Sequence, residues 1–208
     1  MAKLKYGVGI YDLRNDPSYI VNKKNKGKDV WRCPFYRRWS SMLRRCYSEE
    51  HLQKKPTYRG CSVCEDWKTF SNFMAWMKTQ SWEGKHLDKD ILIPGNKVYS
   101  PETCVFVSKE VNNLLNTSPA SRGKYPLGVK AHIHHKKLSA QISKFGKEYH
   151  LGYFYTAEEA HEVYKKERIK YILEFAENLT ENDTSDIERT RQGLIRHVEE
   201  GHVFNEST

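Results

Sequence analysis

Between Tyr125 and Asn178 the apolar residues change period once, from two to about 3.6, and that switch limits the folds open to this chain more than any other feature. Val129, Ala131 and Ile133 alternate with Lys130, His132 and His134. After a short basic turn, Ala140 and Ile142 alternate with Ser139, Gln141 and Ser143; Phe145-Gly146-Lys147 is a second turn, and Tyr149 to Phe154 reads as a third strand. Thr156 then opens a capping box with Glu159, and the helix behind it carries Ala157, Ala160, Val163, Tyr164, Tyr171 and Phe175 on one side. The pattern predicts three antiparallel strands packed on one helix, over residues 125–178. With one sheet face covered, the other is expected to present Lys130, His132, Gln141, Lys144 and His150.

Upstream the pattern is helical. Phe35, Trp39, Met42, Leu43 and Cys46 recur at helical spacing, with Arg37 and Arg44, and Arg38 and Arg45, each seven apart on the remaining faces. An apolar stripe flanked by guanidinium rows suits a helix that rests on a core and offers its back to phosphates. A second helix is expected from Asp66, as its cap, to Lys78, with Phe70, Phe73, Met74 and Met77 buried. From residue 86 the order becomes strand (His86 to Ile93), turn (Pro94-Gly95-Asn96-Lys97), a brief helical turn at Ser100-Pro101, strand (Val105 to Val107), and a helix capped by Ser108. Residues 117–124 read as a linker. The expected class is therefore α+β: an N-terminal helical/ββα-finger domain, residues 31–118, then the sheet-and-helix unit. A basic arm, residues 1–30, precedes them, and an acidic stretch, residues 179–208, reads as a frayed helix with a tail.

Thirty-five Lys and Arg against 26 Asp and Glu give a net charge of +9, with the acidic excess concentrated after Phe175. A basic body points to a polyanionic partner. No apolar run is long enough for a membrane span and the first residues lack a signal-type apolar region, so a cytoplasmic location is expected. Five cysteines, an odd number, fit a reducing compartment. Cys61 and Cys64 have zinc-ligand spacing, and Cys46 and Cys104 would complete a four-thiolate site; buried free thiols are the alternative reading.

Two resemblances sharpen this. Leu127-Gly128-Val129, Ser139-Ala140-Gln141-Ile142, His150-Leu151-Gly152-Tyr153-Phe154 and Thr156 to Tyr164 resemble the ethylene-response-factor DNA-binding domain. That resemblance implies three strands and a helix that bind duplex DNA through the sheet, here with Lys, His and Gln where plant members use Arg and Trp. Trp39, Met42, Arg45-Cys46-Tyr47, Val63-Cys64, Trp67, Leu87-Asp88-Lys89-Asp90, Gly95-Asn96 and Tyr99-Ser100-Pro101-Glu102 resemble phage HNH (His-Me finger) endonucleases. This second resemblance implies metal-dependent hydrolysis of DNA, with Mg²⁺ or Mn²⁺ held by Asp88 and Asn112. Lys89 stands where the general-base histidine usually lies, and a protonated lysine takes no proton, so His86 or Asp90 would have to assist water. The competing expectation is a DNA-binding protein without cleavage, a regulator or a phage factor that interferes with host DNA transactions. A third is an RNA-binding protein, suggested by the basic arm and the Tyr and Trp content.

Overall fold

The structure is a computed structural model that describes residues 4–16, 24–25, 28–29, 33–115, 124–131 and 137–204. The chain divides into two compact units, residues 1–107 and 108–208, and the class is α+β.

In the first unit, helix α1 (Pro34–Tyr47) starts on a proline, where the missing N–H costs nothing, and carries Arg44 and Arg45 in its last turn, which suit the negative helix end. A short helix α2 (Glu49–Lys54) follows it. Trp39, Met42 and Leu43 from α1 are fully buried, and the Trp39 indole N–H donates to the carbonyl of Trp67 at 2.7 Å. Each such side chain contributes about 1.5–3 kcal/mol by leaving water. The expected single helix from Asp66 to Lys78 is two: α3 (Glu65–Lys68) and α4 (Phe70–Lys78), parted at Thr69, whose backbone is extended. Asp66 lies in the first turn of α3 and caps nothing larger. The break has a tertiary cause. The Ile10 N–H donates to the Lys68 carbonyl and the Phe70 N–H to that of Ile10, both through the N-terminal segment, while Asp12 Oδ1 accepts from the Ser71 N–H at 3.1 Å and caps α4. Tyr6, Val8, Tyr11 and Leu13 pack on the core, so this part of the expected arm is a docked strap. Farther along the arm, β1 (Lys24–Asn25) and β2 (Lys28–Asp29) pair antiparallel.

Strand β3 (Ser62–Val63) pairs parallel with β5 (Val98–Tyr99), and β4 (His86–Asp88) antiparallel with β6 (Val105–Val107). The strand expected to run to Ile93 stops at Asp88, because Asp88 Oδ1 accepts the N–H groups of Asp90 and Ile91 at 2.7 and 2.8 Å and bends the chain.

The second unit begins with α5 (Lys109–Leu114), capped by Ser108 as expected; this helix therefore groups with residues 108–208 and not with the strands before it. The linker expected at residues 117–124 falls almost wholly outside the described residues. Strands β7 (Val129–Ala131), β8 (Leu138–Lys144) and β9 (Lys147–Phe154) form an antiparallel meander that packs on α6 (Ala157–Glu177). Thr156 accepts from the Glu159 N–H at 3.2 Å, the expected cap. Gly128 is required: its φ is +78°, and a Cβ there would lie 2.1 Å from the Tyr164 ring.

The expected acidic tail is, through residue 204, a folded element. Helix α7 (Ile187–Glu199) packs on α6 and buries Thr190, Gly193, Leu194 and His197. Three acids in and before this helix are used locally. Asp186 caps the helix, Asp183 accepts from both the N–H and the hydroxyl of Thr180, and Glu188 pairs with Arg191.

Candidate nucleic-acid interface

The cationic face of α1 becomes one wall of a groove. Arg37 and Arg44 stand exposed two turns apart, and a 650 Å³ groove beside them is lined also by Lys5, Tyr6, Arg38 and Trp82; none of the described residues lining it is acidic. Lys5 arrives from the N-terminal strap, with Nζ 5.0 Å from the Tyr6 ring centre and 5.9 Å from that of Tyr36. Arg38 is half-buried and donates to the carbonyl of Lys85 at 2.5 Å. Burial, and then the nearby Arg37 and Arg45, push its guanidinium down from the usual range, so like charges are crowded here. Lys5 and Trp82 carry no local signal of this role; the docking of the strap and the turn after α4 bring them to the groove.

Arg45 does not join this wall. Its Nη1 donates to the Tyr99 hydroxyl at 3.5 Å and its guanidinium lies 5.7 Å from the Tyr58 ring. Burial opposes its charge, but Tyr99 and Tyr58 outweigh that and the net direction is up. Tertiary contacts decide this departure from its expected place beside Arg38: Tyr99 and Tyr58 meet α1 at that end and engage its guanidinium.

On the sheet, Lys130 and Gln141 lie on the face away from α6, and Lys130 ion-pairs there with Glu148. His150 lies opposite Gln141 and its ring sits 4.4 Å from that of Tyr153, which is 51% exposed. A bulge between Ala140 and Gln141 resets the register, so Leu151 drops toward the core. Gln141 Oε1 is buried with no hydrogen-bond partner among the described residues. Lys144 is on the other face: it ion-pairs with Glu167 of α6 and lies 5.5 Å from the Tyr171 ring. It shares the parity of Ala140 and Ile142, so its expected place on the open face is corrected. His132 falls outside the described residues.

The residues expected to hydrolyse DNA are mostly spent on holding a loop. Lys89 is buried; its Nζ ion-pairs with Asp90 and donates to the Asn96 carbonyl at 2.8 Å. Asn96 returns a hydrogen bond to the Lys89 carbonyl at 2.7 Å. Part of Asp88 reaches solvent, but its carboxyl is enclosed by protein, and burial, then Asp90, push its pKa up. His86 is exposed at the start of β4. Asn112 is half-buried on α5, in the second unit. Among the described residues no three His, Cys, Asp or Glu side chains gather closely enough to hold a metal ion. The four cysteines Cys46, Cys61, Cys64 and Cys104 form no disulfide, and they do not gather into the expected zinc group. Burial pushes the Cys46 thiol up to about 12 and raises Cys104 and Cys64 as well, away from the thiolate a zinc ion needs.

Among the described residues no helix is long and apolar enough to cross a membrane. Comparison with protein-family models, with curated proteins and with solved structures finds no match.

Proposed function

We propose that this chain binds duplex DNA, gripping the phosphate backbone with the first unit's groove and offering the open face of the β7–β9 sheet to base edges. One observation carries the reading: Lys5, Arg37, Arg38 and Arg44 converge on a groove with no acidic residue among the described lining. Such a charge cluster is unfavourable alone and is relieved by a polyanion, which releases counterions as it binds. Lys130, Gln141 and His150 supply donors and acceptors of the kind that read base edges, on a sheet shape that fits a major groove.

A metal-centred hydrolytic site does not fit the donors. Asp88 Oδ1 already accepts two backbone N–H groups, burial favours the neutral form of that carboxyl, and Lys89 is locked in an ion pair. The test is a gel-shift titration with duplex DNA over a range of salt, with single-stranded RNA as competitor, and a parallel incubation of supercoiled plasmid with Mg²⁺ or Mn²⁺. Binding that weakens steeply with salt, with plasmid left intact, is the expected result. Salt-independent binding overturns it, as does preference for the RNA. Nicking that disappears in Asp88→Ala would replace it with the endonuclease reading.

A further inference from the structure

Arg168, on α6, is only 9% exposed. A guanidinium withdrawn from water needs a counter-charge or a full set of acceptors. Arg168 has neither. Its Nη2 donates to the carbonyl of Leu114, its plane lies 6.0 Å from the Tyr171 ring, and its Nε is buried with no partner among the described residues. The neighbouring carboxylate, Glu167, is already paired with Lys144.

Beside Arg168 opens a cavity of 530 Å³, within the range of about 300–1,000 Å³ that holds small molecules. Lys109 and Asn113 of α5, Ser143 of β8, and Phe145 line it with Arg168; Glu110 is the acidic residue among the described lining. Phe145 supplies a second, separate observation. It occupies the first position of the two-residue turn between β8 and β9, with φ +49°, followed by Gly146 at +74°. Such a turn favours Asn, Asp or Gly at that position, so a phenylalanine there strains the backbone. The residue is 72% exposed even though its ring also meets that of Tyr171 at 5.4 Å. Its N–H donates to the Tyr171 hydroxyl at 3.2 Å, and its ring is backed by Phe175, 5.7 Å away and nearly parallel, which holds an aromatic face at the rim of the cavity.

A buried cation with no anion paired to it among the described residues, a second cation, and a propped aromatic face are the parts that recognise a phosphorylated planar base. We propose that this cavity binds a nucleotide unit, with the phosphate on Arg168 and Lys109 and the base stacked on Phe145. The nucleotide comes either free in solution or as one residue of an unpaired strand, and the chemistry at the site is the same.

The experiment titrates the full chain with adenosine 5′-monophosphate, with adenosine, and with a short single-stranded oligodeoxyadenylate, followed by calorimetry. Saturable binding of the monophosphate, at least tenfold tighter than adenosine, is expected. Phe145→Ala and Lys109→Gln, both at exposed positions, should each weaken it about tenfold. Arg168→Lys should do the same; if that variant fails to fold, the other two decide. Binding of the oligonucleotide alone, still dependent on Phe145, assigns the nucleotide to a strand. Failure of both phosphorylated probes to bind, or binding indifferent to Phe145→Ala and Lys109→Gln, overturns the proposal. Arg37→Ala/Arg44→Ala should leave the monophosphate affinity unchanged, which keeps this site separable from the DNA-binding groove.

Discussion

Asp88 shows how one side chain can be taken from chemistry into architecture. Its Oδ1 bends the chain after β4, and its carboxyl is enclosed by protein, with the pKa raised by burial and then by Asp90. A raised folded pKa means that the folded state holds the proton more tightly than the unfolded chain. The resulting penalty is absent below the unfolded value, about 3.9, grows as pH rises through the folded value, and is complete above it. Asp88→Asn keeps an oxygen for both N–H groups and carries no charge. It should therefore melt at a higher temperature than the parent at pH 7, with the gain vanishing near pH 4. Asp88→Ala strands the two N–H groups and should cost about 1–3 kcal/mol at either pH. Thermal melts at the two pH values check both. A parent that gains stability as pH rises from 4 to 7 relative to Asp88→Asn would contradict the burial argument.

Among the elements, the sheet-and-helix unit is sensitive to one close approach. Gly128, just before β7, has a left-handed backbone, and its hydrogen atom faces the Tyr164 ring on α6. Gly128→Ala combines backbone strain with overpacking against a buried ring and should destabilise the second unit by about 2–5 kcal/mol. Gly146→Ala has a similar φ but open space around it, and should cost only about 1 kcal/mol. Equal losses in the two variants, measured by denaturant unfolding, would show that the ring contact does not matter. The α3–α4 break belongs to this scale too. Asp12→Ala removes the capping oxygen given to α4 from the strap and should cost about 1 kcal/mol, again read by unfolding.

Across the whole molecule the charge is divided along the line between the two units. Residues 1–107 hold twenty Lys and Arg against eleven Asp and Glu, and residues 108–208 hold fifteen of each, so the net +9 belongs to the first unit. Long-range attraction to a polyanion should follow that division. Arg37→Ala/Arg44→Ala is expected to flatten the slope of log affinity against log salt by about 1.8, at about 0.9 for each phosphate contact. Lys130→Ala/Lys147→Ala should change the slope less, because Lys130 is already paired with Glu148. Equal effects of the two double variants would place the grip on the wrong unit.

Local pattern alone determined the β7–β9 meander, the capped helix behind it and the apolar stripe of α1, because alternation and helical spacing record which side of an element leaves water. The parity of Lys144 was legible as well, in its spacing from Ala140 and Ile142. Other features were decided only where distant segments met. The strap that cuts α3 from α4, the turning of Arg45 onto Tyr99, the locking of Lys89 between Asp90 and Asn96, and the acids of α7 used as caps each depend on a partner that sequence neighbours do not reveal. A charged residue has the same letter whether it meets solvent, a phosphate or an internal partner. Its role is set by the groups the folded chain brings within hydrogen-bonding distance, and by the water that folding takes away.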